Sequence, residues 1–499
     1  MKYTSTRSKN VLVTAQEAIV NGLAPDGGLY VPQAIPALST EQLRAMVKMS
    51  YPNRAAYIMK MYLDDFTEAE LLEFSEKAYC VESFPGGAAP VVNAGGDMYL
   101  ELWHGPTCAF KDMALQMLPF LLTSSLRKTG QSEDALILTA TSGDTGKAAL
   151  SGFKDRENTR IMVFYPADGV SQIQKLQMAT QEGENVSVFA VYGNFDDAQT
   201  GVKQIFSDGG VQAEILKNGC KFSSANSINW GRLLPQIVYY VSAYCDLVNA
   251  GVVELLDSLE ISDKVNFCVP TGNFGNILAA YYAKCMGVPV GRLICASNEN
   301  NILTDFVNTG SYDRRRNFHT TLSPSMDILI SSNLERLLWH LCDEDAVKVS
   351  SFMASLSADG AYSVEDAVKA KISQLIWAGC CDDRETKAVI DNVWNEGDYL
   401  LDPHTAVAKS VKDKYFTETN DAIPTVIVST ASAYKFCSGV LDALGVKYDS
   451  DGVELIDLLQ NITNIAPPPQ LSELKNATVR FTDIVDKDEM KNCVLDFSK

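Results

Sequence analysis

Lys111 is the residue of this 499-residue chain whose setting most invites chemistry. It lies near the end of the run Glu101-Leu102-Trp103-His104-Gly105-Pro106-Thr107-Cys108-Ala109-Phe110-Lys111-Asp112. Gly105-Pro106 reads as a turn, because glycine permits strained backbone angles and proline fixes its own φ. The chain beyond it reads as a helix beginning near Phe110. A lysine at such a start sits beside unpaired N–H groups and the positive end of the helix dipole. That setting disfavours the ammonium and favours the free amine, which can form a Schiff base with a carbonyl compound. A lone lysine is more often an ordinary solvated side chain, so its reading depends on what the rest of the chain brings to it.

Three strand-to-helix loops could supply partners. The first, Pro270-Thr271-Gly272-Asn273-Phe274-Gly275-Asn276, follows an apolar strand and opens a helix. Its glycines let the backbone approach a ligand, and the helix start offers N–H donors to a phosphate. A plain tight turn fits the same residues, and the Gly-x-x-Gly spacing lacks the third glycine of a dinucleotide fingerprint. The second is Thr141-Ser142-Gly143-Asp144-Thr145-Gly146-Lys147. A nucleotide P-loop needs glycine at 141 and Ser or Thr at 148, and this chain has Thr141 and Ala148, which excludes ATP binding of that kind. Hydroxyls and backbone amides at a helix start suit a carboxylate instead. The third, Ser429-Thr430-Ala431-Ser432-Ala433, ends a strand in small hydroxyl residues that on their own read as a helix cap.

The elements that must position these loops alternate. Apolar runs at 135–140, 160–165, 186–192, 265–269, 293–296 and 425–429 read as strands, most of them followed by a helix. Such alternation predicts an α/β protein with largely parallel sheets covered on both faces, whose ligands gather beyond the carboxyl ends of the strands. Residues 1–95 read as a separate, mainly helical domain with a short extended start. A capping box at Thr14-Ala15-Gln16-Glu17 opens its first helix, and residues 39–51 and 67–79 read as further helices. Residues 96–250 are expected to form a small α/β domain holding Lys111 and the substrate loop. Residues 251–499 would form a larger one with the phosphate loop, and residues 300–400 read as mostly helical with no assignable role. Pro119, inside the helix expected after Lys111, should kink or break it.

Composition narrows the partners. The 42 basic and 62 acidic residues give a formal charge of −20, and only Arg314-Arg315-Arg316 forms a basic run, so nucleic acid is excluded as a partner. Twelve cysteines without paired C-x-x-C spacing suit a reduced, cytoplasmic setting rather than a disulfide or zinc framework. The four histidines lack ligand spacing, so no metal is expected. No apolar signal core opens the chain. Residues 237–256 are broken by Ser242, Asp246, Asn249 and Glu254 and read as a buried helix, not a membrane span.

Taken together, the segments resemble pyridoxal-phosphate enzymes of the tryptophan-synthase-β type, and among them the threonine synthase family. Residues 22–32 (GLAPDGGLYVP) are similar to that family's N-terminal signature. His104-Gly105-Pro106-Thr107 through Ala109-Phe110-Lys111-Asp112 resembles its cofactor-lysine motif, and residues 141–146 and 272–276 resemble its two glycine loops. Asn226-Ser227-Ile228-Asn229-Trp230-Gly231-Arg232 and Leu401-Asp402-Pro403-His404-Thr405-Ala406 add two more segments, so six stand in the family's order.

The resemblance implies two parallel-sheet domains of the tryptophan-synthase-β type. It implies pyridoxal 5'-phosphate carried on Lys111, its phosphate held by Gly272, Asn273, Phe274, Gly275 and Asn276, and its pyridine nitrogen facing Thr430. Thr141, Ser142, Asp144 and Thr145 would bind the substrate O-phospho-L-homoserine, with the hydroxyls toward its carboxylate. Asn229 and Arg232 are the candidates for its leaving phosphate. The activity implied is conversion of O-phospho-L-homoserine and water to L-threonine and phosphate, by a monomer or a homodimer. Two other readings stand beside it: a lyase or dehydratase of the same fold, and a catalytically silent homologue. The chain departs from the family where Ser432-Ala433 replaces the more usual His-Pro after Thr430-Ala431. It departs again at Lys147, where a small residue is common and a cation could meet an anionic substrate.

Overall fold

The computed structural model describes residues 1–141, 143–168 and 170–499, with residue 196 described in its backbone alone. Its sixteen strands are β1 Tyr3–Ser5, β2 Ser8–Val13, β3 Tyr30–Pro32, β4 Val91–Ala94, β5 Asp97–Glu101, β6 Asp134–Ala140, β7 Thr159–Pro166, β8 Val186–Val191, β9 Cys220–Ser223, β10 Val265–Pro270, β11 Val290–Ser297, β12 Ser311–Asp313, β13 Ala361–Ser363, β14 Ile376–Cys380, β15 Thr425–Ser429 and β16 Ile484–Val485. Two sheets dominate. One runs β14-β11-β10-β15-β5-β4 and is parallel except for the β4–β5 hairpin at its edge. The other, β16-β8-β7-β6-β9, is parallel throughout. Strand β10 is buried along its whole length, from Val265 to Pro270, and β6, β7, β11 and β15 along most of theirs. That is why they read as unbroken apolar runs, since helices cover both faces.

The sheets do not respect the expected segments. Strand β5, within the span 96–250, pairs with β15 instead of with β6 to β9, and the chain's end returns to place β16 beside β8. The first ninety residues hold a three-stranded antiparallel sheet, β2-β1-β3, besides their helices. Nor does this unit stand apart, because its apolar side chains share one core cluster with those of both large sheets. Polar ties reinforce the junction. Arg7 grips Glu335 through Nε at 2.9 Å and Nη2 at 2.8 Å, while Arg336, fully buried, donates to the carbonyls of Tyr30 and Ile228. The expected helix over 39–51 is two helices, Thr40–Met46 and Tyr51–Tyr62, the second opening on Pro52. The capping box at Thr14 is present as read, with Glu17 answering its backbone N–H.

The helix expected at 237–256 runs from Trp230 to Asn249, is buried along most of its length and carries Pro235 inside it. Among the described residues no helix is long and apolar enough to cross a membrane. After Lys111 the chain makes only a four-residue helix, Asp112–Leu115, and breaks at Gln116 and Met117. It then starts again as Leu118–Thr129 with Pro119 in its first turn, where a missing N–H costs nothing. The short helix packs against Asp144–Phe153, and there Gly152 is obligatory. A Cβ on Gly152 would overlap the carbonyl oxygen of Leu115, which is backbone and cannot rotate away. Gly152→Ala should therefore destabilise the chain by about 1–3 kcal/mol through overpacking. Equilibrium urea unfolding reads this directly, and an unchanged midpoint would show that the contact is not tight.

Candidate functional site

Lys111 is placed by strand pairing. β5 and β15 run in parallel with Val428 opposite Leu100 and Ser429 opposite Glu101, so the loops that follow them leave the sheet side by side. They are then stitched together. Phe110 donates its N–H to the Thr430 carbonyl at 2.8 Å, Ser432 donates to the Cys108 carbonyl at 3.1 Å, and Ala109 and Ala431 form an isolated antiparallel bridge. Thr430 is buried and its N–H is directed to the Thr405 hydroxyl at 3.3 Å, so its own hydroxyl takes no part in these ties.

Lys111 is only 9 % exposed. Its Nζ donates to Ser325 Oγ at 3.0 Å and to Asp144 Oδ2 at 3.3 Å. Burial lowers its proton affinity first. Asp144 opposes this, and the cations of Lys435 and Arg232 add to it, with a net shift below the ordinary lysine value. The direction is the one expected of an amine at a helix start, but its cause is burial and neighbouring cations. The four-residue helix is too short to supply the dipole invoked for it.

Asp144 lies in the first turn of helix Asp144–Phe153. Its carboxylate accepts from Lys435 Nζ at 2.7 Å and Gln174 Nε2 at 2.7 Å as well as from Lys111. Burial works against its ionisation, but Lys435 and Lys111 hold it well below the usual carboxylate range. It is thus the counter-ion of two lysines, not part of an anion cradle. Thr141 also differs from its expected role. Its Oγ1 accepts from the N–H groups of Gly143 (3.0 Å) and Gly146 (2.9 Å), so two donors intended for a carboxylate are already engaged. Thr145 is half-buried beside it, and Ser142 lies outside the described residues. Lys147 donates to Gln181 Oε1 at 2.6 Å, and burial pushes its amine down to about 8.

The loop after β10 faces this cluster. Phe274 holds a left-handed backbone at φ 63°, and Gly275 opens the helix Gly275–Cys285. At Gly272 a Cβ would come within 2.6 Å of the Ser325 carbonyl, so the absence of a side chain lets the segment bearing Ser325 lie close. The carbonyls of Gly272 and Asn273 are pinned from outside by Ser331 Oγ at 2.7 Å and Asn333 Nδ2 at 3.0 Å, leaving Asn273 exposed. Asn276 is buried. Its Oδ1 accepts from the hydroxyls of Tyr239 and Tyr240, while its Nδ2 has no partner among the described residues. A buried donor left open at a helix start is a place for an anion's oxygen.

The two polar residues expected at the far side behave differently. Asn229 is fully buried and spent: Oδ1 caps Gly231 N at 2.9 Å, and Nδ2 donates to the carbonyls of Ile19 (2.9 Å) and Ser224 (3.1 Å). It is a structural cap, and the phosphate contact expected of it is withdrawn. Arg232, one turn on, is buried with one bond to the Ala225 carbonyl at 2.7 Å and no carboxylate partner among the described residues. Burial takes its guanidinium down to about 10.

Three contributors went unnoticed in the sequence. Ser325 comes from the unassigned span 300–400. Its N–H donates to His404 Nε2 at 3.2 Å, which leaves His404 Nδ1 to donate to Asp402 Oδ1 at 2.8 Å. Lys435, fully buried, is the second, and Gln174 the third. Only His404 carried a signal, inside the family-like segment 401–406.

With the geometry in view, comparison with known proteins is decisive. Residues 2–79 match the family model described as Threonine synthase N terminus. The threonine synthase of Saccharomyces cerevisiae is 36% identical over 470 residues, with 89% of each chain covered. The chain belongs to the threonine synthase family. A human protein named threonine synthase-like 1 is 40% identical over 493 residues, which is 97% of this chain but 64% of that protein's length. The chain thus spans less than two thirds of that longer relative. The crystal structure of PLP-bound threonine synthase from Brucella melitensis superposes with a TM-score of 0.87 at 35% identity, covering 100% of both chains. The family's fold therefore frames the buried cluster around Lys111.

Arg232 offers a test of the site as built. Replacing an unpaired buried cation by a packed apolar side chain removes a desolvation cost, so Arg232→Met should be as stable as the unsubstituted chain or more stable by about 1–4 kcal/mol. It should also lose part of the thermal stabilisation that inorganic phosphate gives. Melting curves with and without phosphate measure both, and a variant that is destabilised and gains fully from phosphate would contradict the assignment.

Proposed function

We propose that this member of the family is a threonine synthase, converting O-phospho-L-homoserine and water to L-threonine and phosphate with pyridoxal phosphate held on Lys111. The observation that carries the reading is a buried amine, biased to its free form, across from a strand-to-helix loop with an open buried donor. The residues present fit the cofactor. Asn276 Nδ2 lacks a partner among the described residues, Gly272 has no side chain to block the approach, and the Thr430 hydroxyl lies on the loop tied to Lys111. Gly272, Asn273, Phe274, Gly275 and Asn276 would take its phosphate and Thr430 its pyridine nitrogen.

When bound, the cofactor draws electrons from the substrate's Cα and so makes the Cα proton, and then a Cβ proton, removable. The protein's own part begins with Lys111. With the cofactor bound, Lys111 would be the general base that takes the substrate's Cα proton and then a Cβ proton, and returns protons to the carbon chain later. Ser325 and Asp144, 3.0 and 3.3 Å from Nζ, orient that amine, and the His404–Asp402 pair holds the Ser325 backbone in place. Arg232 receives the departing phosphate, for which a planar guanidinium fork is suited. Thr145, half-buried in the first turn of helix Asp144–Phe153, would face the substrate carboxylate. The Thr430 hydroxyl, being neutral, would leave the ring less electron-poor than a carboxylate there would, which would favour elimination and replacement over transamination. Water then adds at Cβ. Free thiols at all twelve cysteines, eight of them buried, support a reduced, cytosolic location.

Loaded with pyridoxal phosphate and given O-phospho-L-homoserine, the chain should release threonine and phosphate in equal amounts. Release of 2-oxobutanoate in place of threonine would overturn the assignment in favour of a dehydratase. Lys111→Ala should abolish the visible absorbance and lower threonine formation by about 10³-fold or more; full activity in that variant would sink the scheme.

A further inference from the structure

Asp144 is shared by two buried lysines, and the second has no part in the scheme above. Lys435 reaches in from the turn after β15 with its side chain fully buried. Its Nζ donates to Asp144 Oδ1 at 2.7 Å and to the Thr107 carbonyl, in the Lys111 loop, at 2.9 Å. Burying an ammonium costs several kcal/mol unless it is well paired, so a second one beside an amine that must be free calls for a reason. A carboxylate alone beside Lys111 would attract its proton and keep it as an ammonium. The distances show which lysine Asp144 serves: Lys435 is the closer, and Lys111 touches only the other oxygen at 3.3 Å. Gln174 Nε2 braces the oxygen that Lys435 binds, at 2.7 Å.

We propose that Lys435 is a positioning residue that occupies Asp144, so that the carboxylate orients the Lys111 amine without keeping it protonated. This deepens the reading of Lys111 given above and rests on it. Every charged group around the amine is consistent with it. Arg232, from helix Trp230–Asn249, is a second cation disfavouring the ammonium. Asp112, the neighbouring acid, is turned away into Thr107, accepting from its N–H at 2.8 Å and its hydroxyl at 2.7 Å, and burial pushes it up to about 6. Lys147, on the Asp144 helix, is tied to Gln181. His404 lies behind Ser325 with Nε2 as an acceptor.

The test reads the Lys111 amine itself. The full chain, treated with hydroxylamine to release any bound carbonyl compound, is labelled with trace acetic anhydride across pH 6–10. The Lys111 peptide is then quantified by mass spectrometry. Lys435→Met and Lys435→Gln should both move half-maximal labelling upward by about one pH unit or more, a tenfold loss of reactive amine at fixed pH. Asp144→Asn should move it downward, and Lys435→Met combined with Asp144→Asn should return it toward the unsubstituted value. Should the Met variant not fold, Gln and Asp144→Asn still decide. Unmoved labelling, or a double variant as shifted as Lys435→Met, would overturn the proposal and leave Lys435 a packing role. Uptake of pyridoxal phosphate by the same samples, followed by absorbance, tests the cofactor reading separately. An unsubstituted chain that takes up none would overturn that reading, while the labelling midpoints would still settle what Lys435 does to Lys111.

Discussion

The register of β5 against β15 is the constraint from which the site follows. Four parallel pairs, Met98–Val426 to Glu101–Ser429, bring two loops more than three hundred residues apart off the same edge of one sheet. A slip of one residue would turn Leu100 and Val428 to the opposite faces. It would also separate Phe110 from the Thr430 carbonyl and Cys108 from Ser432. Those ties hold Lys111 and Thr430 as one rigid unit. The second sheet then contributes only what its helix starts can reach, principally Asp144, and the span 323–336 closes the remaining side with Ser325 and the residues that pin the glycine loop.

Within that frame the electrostatics are frustrated by design of the fold. Lys435 and Arg232 are buried cations near the Lys111 amine, with Asp144 shared between the two lysines and Asp112 engaged elsewhere. Such an excess of positive charge is unfavourable in an empty protein and favourable around a phosphorylated, carboxylate-bearing ligand. On the proposed function, stability is given up where the anionic substrate would bind, a trade-off known from other functional sites.

Much of this was legible in the chain. The loop at 272–276 stood out because a fully buried strand leaves an unbroken apolar run and a glycine pair marks its exit. The break at Pro119 was legible because proline's effect is local. For Lys111 the structure replaces the reason given: a dipole was inferred where burial and neighbouring cations act. Asn229 was misjudged because a side-chain cap and a ligand contact call for the same residue type, and the partner that decides between them, Ile19, lies 210 positions away. Ser325 and Lys435 left no trace, since they meet Lys111 and Thr107 across 214 and 328 positions. Short strands such as β12, β13 and β14 likewise depend on their sheet partners for their existence, not on their own pattern. Local signals were readable; long-range pairing was not.

The account rests on Lys111 being the one reactive amine among three lysines of the site region, the buried Lys111 and Lys435 and the half-buried Lys147. Borohydride reduction of the chain in the presence of pyridoxal phosphate, followed by peptide mapping, tests this most directly. The account predicts a phosphopyridoxyl group on the peptide bearing Lys111 and none on those bearing Lys435 or Lys147. The group on Lys435 or Lys147, with Lys111 unmodified, would contradict it.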